Sequence, residues 1–204
     1  MILLDDAHYL SEGLARKVFQ HPDQADLCIK IGKPGIEREH LYKEIKYYEK
    51  LQRRRNGFVS PFFSTYYGEV ETNMGEGFVY QLIKDEPSGN ISQNLRYYLE
   101  LDHSPLDDDC IIKNLQALKR EMIENKVQVS DLRARNICCQ LLNEDVQFVV
   151  VDGIGHRDFI PFADWFGFFA EKKIERRFLK ANLHSLDAQR ELLKRKRAEG
   201  KAIV

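Results

Sequence analysis

No stretch of about 18 consecutive apolar residues occurs in the sequence, which argues against a membrane-spanning helix. Asp5 and Asp6 follow Met1 closely, where a secretory leader would carry a basic and then an apolar segment, so a cytoplasmic protein is expected. Cysteine is sparse and poorly placed for a metal. Cys28, Cys110, Cys138 and Cys139 form no C-x-x-C pair, and the six histidines are scattered. A zinc site is therefore not expected, and the vicinal Cys138-Cys139 read as small strand residues in a reducing compartment. Glycine is also scarce at the one place where it would carry most meaning, ahead of Lys30.

What remains is ordinary globular material. With 204 residues, 43% hydrophobic and 11% aromatic, the chain can bury a sizeable core as one soluble unit. Residues 3–31 read as strands joined by hairpins and 36–51 as a helix. Residues 62–83 supply two or three more strands, for a five-stranded sheet with one helix. Residues 84–90 are rich in turn formers and read as a connection. A helix follows over 91–101. Asp107, Asp108 and Asp109 then open another, whose Ile111, Leu115, Leu118 and Met122 recur at helical spacing, with acidic residues suited to its N-terminal dipole. Strands at 136–142 and 146–151 form a hairpin through Asn143-Glu144-Asp145.

The most informative stretch runs from Val129 to Ile137, together with the apolar run Phe148-Val149-Val150-Val151 that ends in Asp152-Gly153. In a protein-kinase catalytic loop, Asp-Leu-x-x-x-Asn puts a carboxylate beside the substrate hydroxyl and an amide oxygen beside a metal, while a second strand delivers an Asp to Mg²⁺. Asp131, Asn136 and Asp152 occupy those places in order. Each has a plainer explanation: Asp131 as a turn or helix-cap carboxylate, Asn136 as a satisfied turn amide, and Asp152-Gly153 as a hairpin signal. The conjunction of all three with two apolar strands favours the chemical one.

Upstream, Leu27-Cys28-Ile29-Lys30-Ile31 alternates so that Leu27, Ile29 and Ile31 share one strand face and Cys28 and Lys30 the other, a pattern like Val-Ala-Ile-Lys. A lysine in such a strand needs an opposite charge to offset lost hydration. In the 36–51 helix, Leu41, Ile45, Tyr48 and Leu51 mark the apolar stripe and Glu44 lies beside it. Glu44 is the expected partner of Lys30, with Glu39 as competitor and a solvated helix face as the plain alternative. A glycine-rich turn should precede the lysine, because backbone N–H groups wrap phosphates only where side chains stay away. Only Gly13 stands there, with Arg16 and Lys17 as basic neighbours that would add charge near phosphates.

Several ordered blocks carry a family resemblance: Cys28-Ile29-Lys30-Ile31, the Lys-Glu-Ile-Lys-Tyr-Tyr run at 43–48, Val70-Glu71-Thr72 with Gly75-x-Gly77-x-Val79-Tyr80, and Asn136-Ile137-Cys138. Across about 10–174 they resemble the bacterial YrbL-like family of PhoP regulatory network proteins, found in Gram-negative organisms. The resemblance implies an α+β, two-lobed, protein-kinase-like fold in a single domain over 1–204. Its N-lobe would span about 1–83, its hinge about 81–90 and its mostly helical C-lobe about 91–204. It implies that the backbone of Gln81, Leu82 and Ile83 meets an adenine edge, with ATP and Mg²⁺ as cofactors. Val129-Ser130 replaces the usual His-Arg before the catalytic Asp, and Gly153 replaces the usual Phe after the metal-binding Asp. The short stretch after Asp152 suits a compact small-molecule kinase or a degenerate binding protein better than a peptide kinase.

Two further segments stand out. The aromatic run from Phe159 to Phe169 reads as core packing rather than base stacking, because the basic residues follow the aromatics instead of interleaving with them. Residues 172–201 hold eleven Lys or Arg against four Asp or Glu in a chain of net charge −1, and read as a basic C-terminal helix. Contact between Lys194-Arg195-Lys196-Arg197 and an anionic surface or partner is a weaker expectation than a solvated face. Two function classes follow. One is an ATP-dependent phosphotransferase acting on an unknown small-molecule or protein hydroxyl, with Lys30 and Glu44 orienting phosphates, Asn136 and Asp152 holding Mg²⁺, and Asp131 taking the hydroxyl proton. The other is a pseudokinase-type regulatory binding module in a PhoP-linked stress or Mg-response network.

Overall fold

The computed structural model describes residues 1–54, 60–155 and 167–199. The chain builds β1 (Tyr9–Glu12), β2 (Arg16–Gln20), β3 (Leu27–Gly32), α1 (Arg38–Arg54), β4 (Tyr66–Thr72) and β5 (Gly75–Gln81). These are followed by α2 (Leu95–Glu100), α3 (Asp108–Glu124), β6 (Ile137–Leu141), β7 (Val146–Val150), α4 (Gly167–Lys180) and α5 (Leu186–Ala198). The fold is mixed α+β. A five-stranded antiparallel sheet runs in the order β1-β2-β3-β5-β4, and β6 pairs with β7 in a separate hairpin. The sheet-plus-one-helix arrangement and the 136–151 hairpin match the expected elements closely.

Alternation along β3 divides the sheet into two faces. Ile29 pairs with Phe19 and Val79, and with Ile31 and Leu4 they form a small apolar cluster on the outer face. The N-terminal segment lies against this face. Ile2 bridges Thr72 in parallel, while the Asn73 side chain accepts from Leu4 N (2.8 Å) and donates to Leu4 O (2.9 Å). On the inner face Cys28, Phe78 and Tyr80 join a larger core that continues through α1 to α3, the β6–β7 hairpin, α4 and α5.

The expected helical stripes point inward. Leu41, Ile45, Tyr48 and Leu51 of α1 and Ile111, Leu115, Leu118 and Met122 of α3 are all buried. Asp107 caps α3 by accepting from Cys110 N (2.7 Å), which gives the acidic opening its structural reason. The helix expected over 91–101 is shorter, because Asn94 caps it at Leu95 and Ile91 and Asn94 are spent on bridges to Lys84 and Cys138. The basic segment is two helices, not one. Ile174 and Phe178 of α4 and Leu186, Gln189 and Leu193 of α5 are buried, and Arg190 grips Asp108 through both terminal nitrogens (2.9 and 2.5 Å). Residues 200–201 of that segment, and 159–166 of the aromatic run, lie outside the described residues. Among the described residues no helix is long and apolar enough to cross a membrane.

Candidate functional site

Lys30 enters the inner face because it alternates with Ile29 and Ile31. Its ammonium lies 4.2 Å from the centre of the Tyr80 ring, donates to Val151 O (2.5 Å) and approaches Asp152 Oδ1 (3.5 Å). It thus links the sheet to the strand end carrying Asp152. Its side chain is only 7% exposed, while that of Asp152 is 47% exposed. The carboxylate of Asp152 therefore faces a cation on one side and solvent on the other.

The expected Lys30–Glu44 pair is not what the structure holds. Glu44 is buried on α1, as its place beside the apolar stripe implied, but its Oε2 takes Arg16 Nη1 at 2.5 Å. Arg16 Nη1 also approaches Asp152 Oδ1 (3.4 Å), and Nη2 donates to Leu41 O (3.1 Å). Helical spacing identified the correct side of α1 but not which cation reaches it: Arg16 of β2, opposite Gly32 of β3, projects from the same sheet face as Lys30. Lys17 is exposed, so the charge expected near this turn comes inward through Arg16. Two cations and two carboxylates thus alternate as Lys30, Asp152, Arg16 and Glu44. Burial opposes ionisation of Asp152, but Lys30 and Arg16 outweigh it and hold the carboxyl below its ordinary value. Burial likewise disfavours the charged guanidinium of Arg16, yet Glu44, Tyr80 and Asp152 carry its pKa above the ordinary value.

Asp131 and Asn136 come to the same region by backbone pairing. Val129 bridges Ile154, Gly155 N donates to Gln128 O (2.8 Å), and Gly153 O accepts from both Ser130 N (2.7 Å) and Ser130 Oγ (3.0 Å). Gly153 is required here: its φ is +76°, and a Cβ would stand 2.8 Å from Asp131 Cβ. The residue is therefore more than a hairpin signal. Val151 N donates to Asn136 O (2.9 Å), and Asn136 Nδ2 donates to Asp131 O (2.9 Å) and Oδ2 (3.2 Å). Arg133 Nε lies 2.7 Å from Asp131 Oδ1 and Arg135 3.7 Å from Oδ2. These two arginines were not singled out from the sequence, and Tyr80 stood there only within a block of family resemblance, with no role beside Lys30. The signal available was the Arg-Ala-Arg run flanked by Asp131 and Asn136.

Gly13 lies in the β1–β2 turn, where its N–H donates to Arg16 O (2.8 Å) and open space surrounds its Cα; nothing there requires glycine. Along the expected hinge, Gln81 N donates to Thr65 O (2.9 Å), Leu82 N to Asp26 O (2.8 Å), and Ile83 O accepts from Ser92 N (3.0 Å). Gln81 O accepts from Ser64 Oγ (3.1 Å). Leu82 O and Ile83 N have no partner among the described residues. All four cysteines are free, and burial pushes the Cys138 thiol up to about 12.

These elements define an α+β protein in which a five-stranded sheet and a largely helical region meet across a buried charge cluster. The family model of the PhoP regulatory network protein YrbL matches residues 2–183. "Uncharacterized protein YrbL" of Escherichia coli (strain K12) is 34% identical over 180 residues, which cover 86% of this chain and 84% of that protein. The protein of the same name from Shigella flexneri matches to the same extent. The chain belongs to the YrbL family of PhoP regulatory network proteins.

Proposed function

We propose that the chain is a two-lobed, kinase-like protein that binds Mg-ATP at the seam between the sheet and the helical region, with residues 81–90 as hinge. The observation that carries this reading is the meeting of Lys30 with Val151 O and Asp152, residues more than a hundred positions apart, on the one sheet face that also presents Arg16. Buried cations next to a half-exposed carboxylate suit phosphate and metal together. Asn136 fits the metal role as well: its Nδ2 is committed to Asp131, so Oδ1 is the atom left to ligate. Leu82 O and Ile83 N are the hinge groups left for a purine edge.

When bound, Mg-ATP supplies the γ-phosphoryl group and the cation that offsets its charge. Lys30 orients the phosphates, Asp152 and Asn136 hold the metal, and Glu44 fixes the cation beside them. Asp131 would take the proton of an acceptor hydroxyl, with bound Mg-ATP as the phosphoryl donor and ADP as the leaving group. The test is thermal melting with and without Mg-ATP. A ligand at a hundred times its dissociation constant adds about 2.7 kcal/mol of stability, and Asp152→Ala removes that gain. No rise in melting temperature at saturating Mg-ATP overturns the reading.

One observation favours a second reading, a regulatory binding module without turnover. Both Asp131 oxygens are already engaged, Oδ1 by Arg133 and Oδ2 by Asn136, with Arg135 nearby. Nucleotide binding without Asp131-dependent phosphate incorporation into any tested hydroxyl compound selects that module.

A further inference from the structure

The β1–β2 turn has one glycine, and its N–H is spent on Arg16 O, so the one residue without a side chain offers no open backbone donor to a phosphate. Directly on the strand that leaves this turn, Arg16 aims a guanidinium into the seam. Its planar fork of five donors matches phosphate geometry, and its side chain is only 12% exposed. Around it the hydrogen bonding is incomplete. Glu44 Oε1 and the Tyr80 hydroxyl are both buried without a partner, although buried polar atoms are nearly always paired. Asp152, meanwhile, is drawn to two cations at once, Lys30 and Arg16, and its carboxylate is open to solvent on one side.

We propose that Arg16 is a phosphate anchor of this site, standing in for the backbone amides of a glycine-rich turn. We further infer that this open chain of four alternating charges, Lys30, Asp152, Arg16 and Glu44, couples metal to polyphosphate. The proposal rests on the Mg-ATP reading and deepens it: the ligand class is a nucleoside di- or triphosphate with its divalent cation. A cation on Asp152 draws that carboxylate away from Lys30 and Arg16. Both positive groups then turn to the phosphate oxygens, while Glu44, with Oε1 in reserve, keeps Arg16 from swinging out to solvent. No bond is made or broken; only ionic partners exchange. Metal and polyphosphate each therefore strengthen binding of the other at the protein.

The experiment uses the full chain and calorimetric titration with ATP and, separately, with adenosine, each with and without Mg²⁺, alongside melting curves. Arg16→Gln weakens ATP roughly ten- to a hundredfold, the range for hydrogen bonds to charged groups, and leaves adenosine unchanged. Asp152→Asn abolishes the gain that Mg²⁺ brings to ATP binding at the protein. Because Arg16→Gln alone strands a buried carboxylate, Arg16→Gln/Glu44→Gln is measured beside it, and the same ATP-selective loss is expected. If the double variant folds and binds ATP as wild type does, or if ATP and adenosine weaken equally, Arg16 is structural and the anchor proposal is overturned with the nucleotide reading intact. If wild type binds neither ATP nor adenosine, the nucleotide reading itself falls and the anchor goes with it.

Discussion

Strand β3 serves two environments one residue apart. Ile29 and Ile31 lie in a dry cluster with Leu4, Phe19 and Val79 under the N-terminal segment, whereas Cys28 and Lys30 face the seam with Tyr80, Arg16 and the Asp152 carboxylate. The outer face is held by dispersion and loss of water contact, and its side chains have no chemistry to offer. The inner face accepts the cost of buried charge and arranges every charge against an opposite one. The difference teaches that the outer face secures the strand so that the inner face can hold groups that would not by themselves favour folding.

Substitutions on the two faces should separate stability from binding. The largest stability effect is expected for Ile29→Ala, which opens a cavity and costs about 2–5 kcal/mol. Denaturant unfolding should register this loss, while the folded fraction keeps its affinity for nucleotide. Gly153→Ala comes next, at about 1–3 kcal/mol for the left-handed backbone and the approach to Asp131. Unlike Ile29→Ala, it should also disturb the seam, visible as lost Mg-ATP stabilisation. Asn73→Ala removes both hydrogen bonds to Leu4 and costs about 1–2 kcal/mol; amide exchange should quicken at residues 2–4 and not at 128–136.

Lys30→Met should move stability by only about 1 kcal/mol or less, because Asp152 is half exposed and keeps Arg16 as partner, yet Mg-ATP binding is lost. A Lys30→Met variant that binds Mg-ATP normally would erase the distinction between the faces.

The smallest effect is electrostatic. The Asp152 carboxyl is held below its ordinary value, so its folded pKa lies under its unfolded one. Its contribution is complete at neutral pH and is withdrawn as pH falls through the folded value, below about pH 4. Asp152→Asn should flatten that acid limb of the melting profile, and an unchanged limb would show that Lys30 and Arg16 do not stabilise the ion.

Much of this was legible in the sequence where periodicity carries information. The alternation at 27–31, the stripes of α1 and α3 and the 136–151 hairpin follow from which residues are apolar at which spacing. That Lys30 and Asp152 meet was inferred from their order along the chain. Partner choice was not legible. Glu44 was on the right side of its helix, but whether Lys30 or Arg16 reached it depended on the register of β2 against β3, and one residue of slip would have sent Arg16 to the opposite face. The arginines on Asp131 were hidden for a related reason: Arg133 precedes and Arg135 lies within a 3-10 turn at Ala134–Asn136, a local geometry that no apolar periodicity announces. The covering of the outer face by Ile2 and Leu4 depends on a parallel bridge across some seventy residues, for which no local pattern exists.

Tyr47 adds a mechanical consequence. From the middle of α1 its hydroxyl accepts from Gln128 N (2.9 Å), while Gly155 lies against its ring; nearer the start of the same helix Arg16 holds Leu41 O. Glu44 sits between these two moorings, so the helix acts as a crossbar: tilting it drags the strand bearing Arg16 and the segment leading to Asp131 in the same stroke. Spectroscopic labels placed on the two sides of the seam should accordingly report one concerted transition instead of two independent ones.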